Sequence, residues 1–392
     1  MTELKGKRNT AIIYTDKIDK EAKTQIATLL RDPAYADSKI RIMPDVHSSR
    51  GTVVGTAMTV SKRLSPSLIG VDIGCGMETV KLGKLSEPDL TKLDGLIHSS
   101  IPAGARIRKD ALCTDFPLDK LNCYSRIKPE RAFRSLGTLG GGNHFIELDR
   151  DEEGCYYLVI HSGSRNLGSE VANHYISAAY KYQCGKARRN QRQQSADDGY
   201  GGFMKLRGTK SADDVRKETA VLEGELLVQY LEDVALTLEF ATLNRKLIAE
   251  TVCRGMDFEP MDSFTCAHNY IDTRRMILRK GAISAESGEQ IIIPLNMRDG
   301  AILAHGRGNP DWNFSAPHGA GRICNRTEAR HAYTLEQYQA EMSGVYTTTA
   351  NQGSLDECPM AYKPPQVIIE AIADTAEIER IIKPVYNFKA CD

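Results

Sequence analysis

Several absences narrow the reading of this 392-residue sequence. It has no excess of either charge: 51 Lys+Arg stand against 51 Asp+Glu, so no global cationic field marks a partner of polyanions. Any nucleic-acid function must rest on local charge or on bound metal. It has no long apolar run. The start, Met1-Thr2-Glu3-Leu4-Lys5-Gly6-Lys7-Arg8, leads into no signal-type apolar core, and the most apolar stretch, near Leu226 to Leu243, is broken by Glu232, Asp233 and Glu239. The expectation is a cytoplasmic protein without membrane association. The ten cysteines include no CxxC pair, which with no secretory context favours reduced, mostly buried thiols over disulfides. Neither a G-x-x-x-x-G-K-[ST] loop nor a G-x-G-x-x-G fingerprint occurs, so a nucleotide would be bound in some other way. No internal repeat and no domain linker interrupt the chain.

What is present is glycine in short clusters beside His, Asp and Asn, a distribution that points to backbone shaped around a site. Short β-prone runs, at Val53-Val54, Leu68 to Val71, Tyr156 to Ile160 and Ile291 to Ile293, each abut a candidate site residue. A core-facing helix is predicted over roughly 214–250, where Leu227, Leu231, Val234 and Leu238 recur at spacings of three and four. Strands and helices interleave without a regular βαβ period. The expected architecture is α+β, one compact domain over 1–392. Residues 185–218 stand apart, with Lys186, Arg188, Arg189, Arg192 and Arg207 among Gln, Asn, Ser and Gly. They read either as a solvated surface insertion or as a phosphate-contacting arm.

Six segments carry chemistry. Gly70 to Met77 presents Asp72 and Cys75 three residues apart in a glycine-rich turn, read as following an apolar strand, and a thiolate between two cations can bridge them. Leu139-Gly140-Gly141-Gly142-Asn143-His144-Phe145-Ile146-Glu147 sets three glycines before Asn and His. Val159 to Arg165 delivers His161 from a strand, with Arg165 as a guanidinium for phosphate, and Cys266-Ala267-His268 places a further His after the long helix. A buried structural histidine competes with a ligand at each of these positions. As a set, Asp72, Cys75, His144, His161 and His268 offer the mixed O, N and S donors of a dinuclear transition-metal site. Near the front, Asp45 of Met43-Pro44-Asp45-Val46-His47 is an acid, base or outer support of a metal ligand, with His47 to orient it, or simply a turn-capping carboxylate. Last comes His318-Gly319-Ala320-Gly321-Arg322, a nucleophilic imidazole, small residues that admit a bulky nucleotide and a guanidinium for its phosphate.

Together, and in this order, these motifs resemble the RtcB family of GTP- and manganese-dependent RNA ligases, from Pro44-Asp45-Val46-His47 to Val385-Tyr386-Asn387-Phe388-Lys389-Ala390. The resemblance implies that Cys75 bridges two Mn²⁺ ions, Asp72 and His144 completing one site and His161 and His268 the other. It implies that His318 attacks the α-phosphate of GTP to form a histidine–GMP intermediate. Asn143 would contact the GMP phosphate, Glu147 and Lys389 would lie on or near the guanine, and Gly319, Ala320, Gly321 and Arg322 would line the nucleotide. Arg165 would hold RNA phosphate, and Asp45 would serve proton transfer or RNA contact. The implied reaction opens a 2′,3′-cyclic phosphate to a 3′-phosphate, moves GMP onto it and lets a 5′-hydroxyl displace GMP, in tRNA splicing or RNA repair, with an archease-type activator as a candidate partner. The fold implied is the family's own α+β arrangement, built around the metals. The sequence departs from the family at Pro294-Leu295-Asn296-Met297, where many members have Pro-Gly-Ser-Met, and at Ala301, where they have Ser. Asn296 then supplies the polar group near the nucleotide. Two other readings compete: a metal-dependent phosphoesterase that opens cyclic phosphates without ligation, and an RNA-binding protein that keeps metals for structure.

Overall fold

The computed structural model of the chain describes residues 1–197 and 215–390, with the backbone alone for 190–197. Two sheets dominate. The six-stranded sheet runs Thr2–Lys5, Thr10–Ile13, Ile40–His47, Val54–Thr59, Ile277–Lys280, Asn269–Asp272. The seven-stranded sheet runs Asp262–Ala267, Gly76–Lys84, Cys155–Ser162, Phe145–Arg150, Ala376–Lys389, Gly300–Gly306, Gln290–Asn296. Every pairing in the larger sheet is antiparallel, and in the smaller only Thr10–Ile13 with Ile40–His47 is parallel. The described residues thus form a mixed α/β structure without a doubly wound parallel sheet.

The central strands of the larger sheet are buried on both faces, and period-two alternation decides what each face carries. Leu158 and Ile160 pack with Leu93, Ile97, Ile248 and Val252, the last two from the long helix Glu225–Met256. Tyr157 and Val159 face the other way, into a core with Ile291, Ile292, Ile293 and Leu295. His161 continues this second face at the end of its strand, opposite Met77 on one side and Phe145 on the other. Glu147, two residues beyond Phe145, shares it.

The long helix differs from its predicted form in a way that matters for the site. It begins at Glu225, after a short strand Leu222–Glu223, and its buried face is part polar: Asp233, Thr237, Asn244 and Arg245 are inside while Leu231 and Leu238 are only half-buried. Asp233 accepts from the Asn122 and Cys123 amides and the Tyr175 hydroxyl, at 2.7, 3.0 and 2.7 Å. Asn244 accepts from the Thr138 amide at 3.1 Å and donates to the carbonyls of Thr138 and Gly163. Arg245, with no exposed surface, donates to the carbonyls of Gly74 and Ser162 at 2.9 and 3.2 Å and to Thr265 Oγ1 at 2.8 Å. These groups are inside because they satisfy loop backbone that would otherwise be buried without partners.

One other expectation changes. Leu68 to Val71 is no strand: a 3-10 turn at Pro66–Leu68 leads into an irregular loop, and the strand begins only at Gly76. Residues 185–197 continue the helix Arg165–Asp197, where Lys186 pairs with Glu223. The side chain of Arg192, and Arg207 altogether, lie outside the described residues. Among the described residues no helix is long and apolar enough to cross a membrane, and Cys75, Cys113, Cys123, Cys155, Cys253, Cys266, Cys324 and Cys358 form no disulfide.

Candidate active site

Cys75 stands at the junction of the Gly70–Gly74 loop and the Gly76–Lys84 strand. Gly74 lies at φ +79°, and a Cβ there would sit 2.8 Å from Ala241 Cβ of the long helix, so only glycine lets the loop press against it. The Cys75 carbonyl accepts from the His268 amide at 2.9 Å, tying the loop to the Asp262–Ala267 strand end. Around the thiol, Cys75 Sγ lies 3.5 Å from His144 Nε2 and 3.3 Å from His161 Nε2, and His161 Nε2 lies 3.0 Å from His268 Nε2.

The far nitrogens fix the tautomers. His144 Nδ1 is 2.7 Å from the Leu139 carbonyl and His161 Nδ1 is 3.2 Å from the Asn143 carbonyl. Carbonyls only accept, so Nδ1 carries the proton in each ring and Nε2 presents a lone pair. Burial first, and neighbouring cations and histidines next, hold His144 down to about 3 and His161 and His268 well below the usual histidine range. Three neutral imidazoles and a thiol converging at these distances form a donor set that fits a thiophilic or borderline transition metal. Burial, then the Asp72 carboxylate, pushes the Cys75 thiol up to about 12, a tendency that a bound dication would reverse. Cys75, His144 and His161 make the tightest group, their donor atoms within 4.8 Å of one another. His268 joins through His161, and Asp72 lies solvent-exposed on the same cavity wall.

That wall belongs to a cavity of about 1220 Å³, which Arg165 also lines. Arg165 opens its helix at φ 55°, an unfavourable backbone for a side chain of this size. Its guanidinium is fixed by Thr138 Oγ1 at 3.1 Å and the Gly104 carbonyl at 2.9 Å, and burial lowers it to about 10. A Cβ at Gly140 would meet Arg165 Nη1 at 1.9 Å, which accounts for the first glycine of the triplet.

A second cavity, of about 190 Å³, is lined by Asn143, Phe145, Glu147, Asn296, Gly319, Ala320, Gly321, Arg322, Glu357 and Lys389 among others. His47, Asn143, His318 and Arg326 line both cavities. His318 is therefore at their boundary, its ring centroid 4.8 Å from that of His268. Asp45, with no exposed surface, accepts from His318 Nδ1 at 2.6 Å and from the His318 amide at 3.2 Å. Gly321 makes this approach possible, because a Cβ there would lie 2.5 Å from the Asp45 carbonyl oxygen. His47 does not orient the Asp45 carboxylate. Its Nδ1 donates to the Asp45 main-chain carbonyl at 3.0 Å, and the carboxylate is turned to His318. Complete burial likewise removes Asp45 from direct contact with RNA.

Three residues lining the small cavity are also bonded to the protein itself. Arg322 spends donors on Glu357 Oε1 at 3.1 Å and on the carbonyls of Cys324 and Asp356, so it braces the cavity floor more than it projects from it. Asn296 accepts the amides of Arg298 and Asp299 and donates to Asp299, closing a turn and leaving one amide hydrogen for a ligand. Lys389 donates to the Asn143 carbonyl at 3.1 Å and pairs with Glu357 at 2.9 Å. Glu357 is the residue that sequence reasoning missed. Burial alone would raise its carboxyl, but Lys389, Arg326 and Arg322 hold it down to about 2. No local motif marks it, since its cationic partners lie about 30 residues away on either side, Arg322 and Arg326 before it and Lys389 after it. Glu147 is also buried, accepting from Asn387 Nδ2 at 2.6 Å; burial raises both it and the adjacent Asp149 above the usual carboxylate range.

The family model described as tRNA-splicing ligase RtcB matches residues 25–121 and 113–390 of the chain. Among curated relatives, the RNA-splicing ligase RtcB of Escherichia coli (strain K12) is 28% identical over 410 residues, covering 95% of each chain. The tRNA-splicing ligase RtcB of Aeropyrum pernix is 25% identical over 454 residues, covering 91% of this chain and 89% of its own. With the family model spanning nearly the whole length, and the thiol, the imidazoles and His318 gathered between two cavities, the chain belongs to the RtcB family.

Proposed function

We propose that the protein is an RNA ligase that joins 2′,3′-cyclic phosphate or 3′-phosphate ends to 5′-hydroxyl ends through a His318–GMP intermediate. The observation that carries this reading is the placement of His318 between a large cavity and a small one, with Nδ1 held by Asp45 at 2.6 Å. A carboxylate accepts only, so the His318 proton sits on Nδ1 and Nε2 keeps the lone pair needed for attack. On this reading Nε2 takes the nucleotidyl group of GTP, its bond to the α-phosphorus replacing the bond to pyrophosphate. His318 then yields GMP to the RNA 3′-phosphate, and a 5′-hydroxyl finally displaces it. Asp45 is a positioning residue here, setting tautomer and ring angle.

Asp72, Cys75, His144, His161 and His268 would hold two Mn²⁺ ions, which when bound supply charge neutralisation for phosphoryl transfer. Asn143 and the Gly319-Ala320-Gly321 backbone would border the nucleotide phosphate, with Glu147, Asn296 and Lys389 toward the base. Arg165 would hold RNA phosphate in the large cavity. The test is incubation with labelled GTP and Mn²⁺, followed by mass analysis. A covalent adduct of GMP mass, absent in His318→Ala, is expected; no adduct with any divalent metal would overturn the mechanism.

A further inference from the structure

Ligation requires that the attacking 5′-hydroxyl lose a proton, and the residues already discussed leave that proton without an acceptor. Resting on the ligase reading, we infer that His47 is this acceptor, its Nε2 taking the 5′-hydroxyl proton in the sealing step. The new bond joins the 5′ oxygen to the phosphorus of the RNA 3′-phosphate, the bond from that phosphorus to the GMP oxygen breaks, and GMP leaves with the electron pair. The proton on His47 passes to solvent.

Sealing must occur where the nucleotide and both RNA ends meet, and only four described residues line both cavities: His47, Asn143, His318 and Arg326. An amide is no base at neutral pH, and a guanidinium keeps its protons. Asp45 is fully buried and turned to His318. His318 Nε2 is the atom that bore GMP, so the departing nucleotide lies against it. His47 remains, with its tautomer already set: Nδ1 donates to the Asp45 carbonyl at 3.0 Å, so Nε2 is unprotonated, and it has no partner among the described residues.

The charged and titratable groups facing His47 are Asp45 on its own strand, His318 from the segment after Ser315–Pro317, and Lys363 just before the helix Pro365–Ala371. Burial is the largest influence and lowers the His47 pKa; the bond to the Asp45 carbonyl opposes it, and His318 and Lys363 add to the lowering. The ring is therefore neutral and able to accept a proton at pH 7.

The experiment supplies RNA whose 3′-phosphate already carries GMP, together with a 5′-hydroxyl RNA and Mn²⁺, so that sealing is read without GTP. Wild-type protein should seal with a rate that is flat above neutral pH. His47→Gln should seal about 10²-fold more slowly, with a rate that climbs as pH rises because solvent must then take the proton. Added imidazole should restore part of the rate to His47→Ala, a response that a misfolded or merely distorted site would not give. Wild-type rate in His47→Gln, or a slower rate with an unchanged pH profile and no imidazole rescue, would overturn the assignment. If wild-type protein forms no GMP adduct and seals nothing, the ligase reading itself fails and takes this assignment with it.

Discussion

The two cavities that meet at His318 handle charge in opposite ways. Seven Arg and Lys residues line the large one, Arg50, Arg131, Arg165, Lys217, Lys280, Arg326 and Arg330, against Asp72, Glu218 and Asp356. The small one has three cations, Arg322, Arg326 and Lys389, and all of them converge on Glu357, at 3.1, 2.9 and 2.9 Å. The first arrangement leaves a local positive field inside a chain of zero net charge, suited to a long polyanion whose exact path varies. The second turns charge into rigidity, suited to one compact ligand read by fixed donors and acceptors. Zero net charge therefore describes an average over two regions that differ in purpose.

The strongest way to break this comparison is at Glu357. Glu357→Gln keeps the shape but leaves three cations around a neutral group, and losing the charged member of a buried pair costs about 3–5 kcal/mol. Chemical denaturation at neutral pH measures it, and a loss below about 1 kcal/mol would mean that the ion cluster does not hold the pocket. The pH dependence has a definite sign. Because the folded carboxyl lies at about 2 and its ordinary value is 4.5, its contribution is fully present above about pH 4.5 and is lost as pH falls toward 2. Wild-type stability should decline through that window more steeply than that of Glu357→Gln.

Next in size is the wall of the large cavity that carries the thiol. Arg245→Met keeps an unbranched side chain but strips the Gly74 and Ser162 carbonyls of their donor, each next to a proposed metal ligand. A stability loss of about 1–3 kcal/mol follows from the unsatisfied buried carbonyls. Mn²⁺ affinity should weaken about tenfold or more, as it does when groups that orient ligands are removed. Titration of free Mn²⁺ by electron paramagnetic resonance separates the two effects. A variant that loses stability yet binds the ion as tightly as wild type would show that the helix supports the fold and not the site.

The division between what the sequence revealed and what it hid follows the same physics. Asp72, Cys75, His144, His161, His268 and His318 stood out because glycine and small residues surround each of them, and the structure brings the thiol and the histidines together from five separate segments. Arg245, Asn244 and Asp233 were invisible, because a helix read by its apolar period assigns charged residues to solvent, whereas here they satisfy buried loop backbone. Leu68 to Val71 misled as a strand, since a short apolar run is equally compatible with a loop whose backbone is satisfied otherwise: here the Leu68 and Gly70 amides donate to the Ser65 and Pro66 carbonyls, and the Asn269 side chain donates to the Ile69 carbonyl. Glu357 could not be found at all, its meaning residing in partners up to 35 residues away along the chain and in Lys389 beyond it.

The smallest expected effect tests the open cavity itself. Arg131 is exposed and lines that cavity alone, so Arg131→Ala should leave folding intact and weaken RNA affinity by a similar factor for every sequence, because a phosphate contact carries no base information. Removing one such contact to a single strand lowers the slope of log affinity against log salt by about 0.7. The decisive quantity is the contrast between ligands: RNA affinity at low salt should fall more than the yield of GMP adduct, since the cations of the small pocket are already bound to Glu357 and do not borrow charge from Arg131. Equal losses for both ligands would mean that the two cavities share one field, and the contrast between a steering cleft and a rigid pocket would collapse into a single basic site.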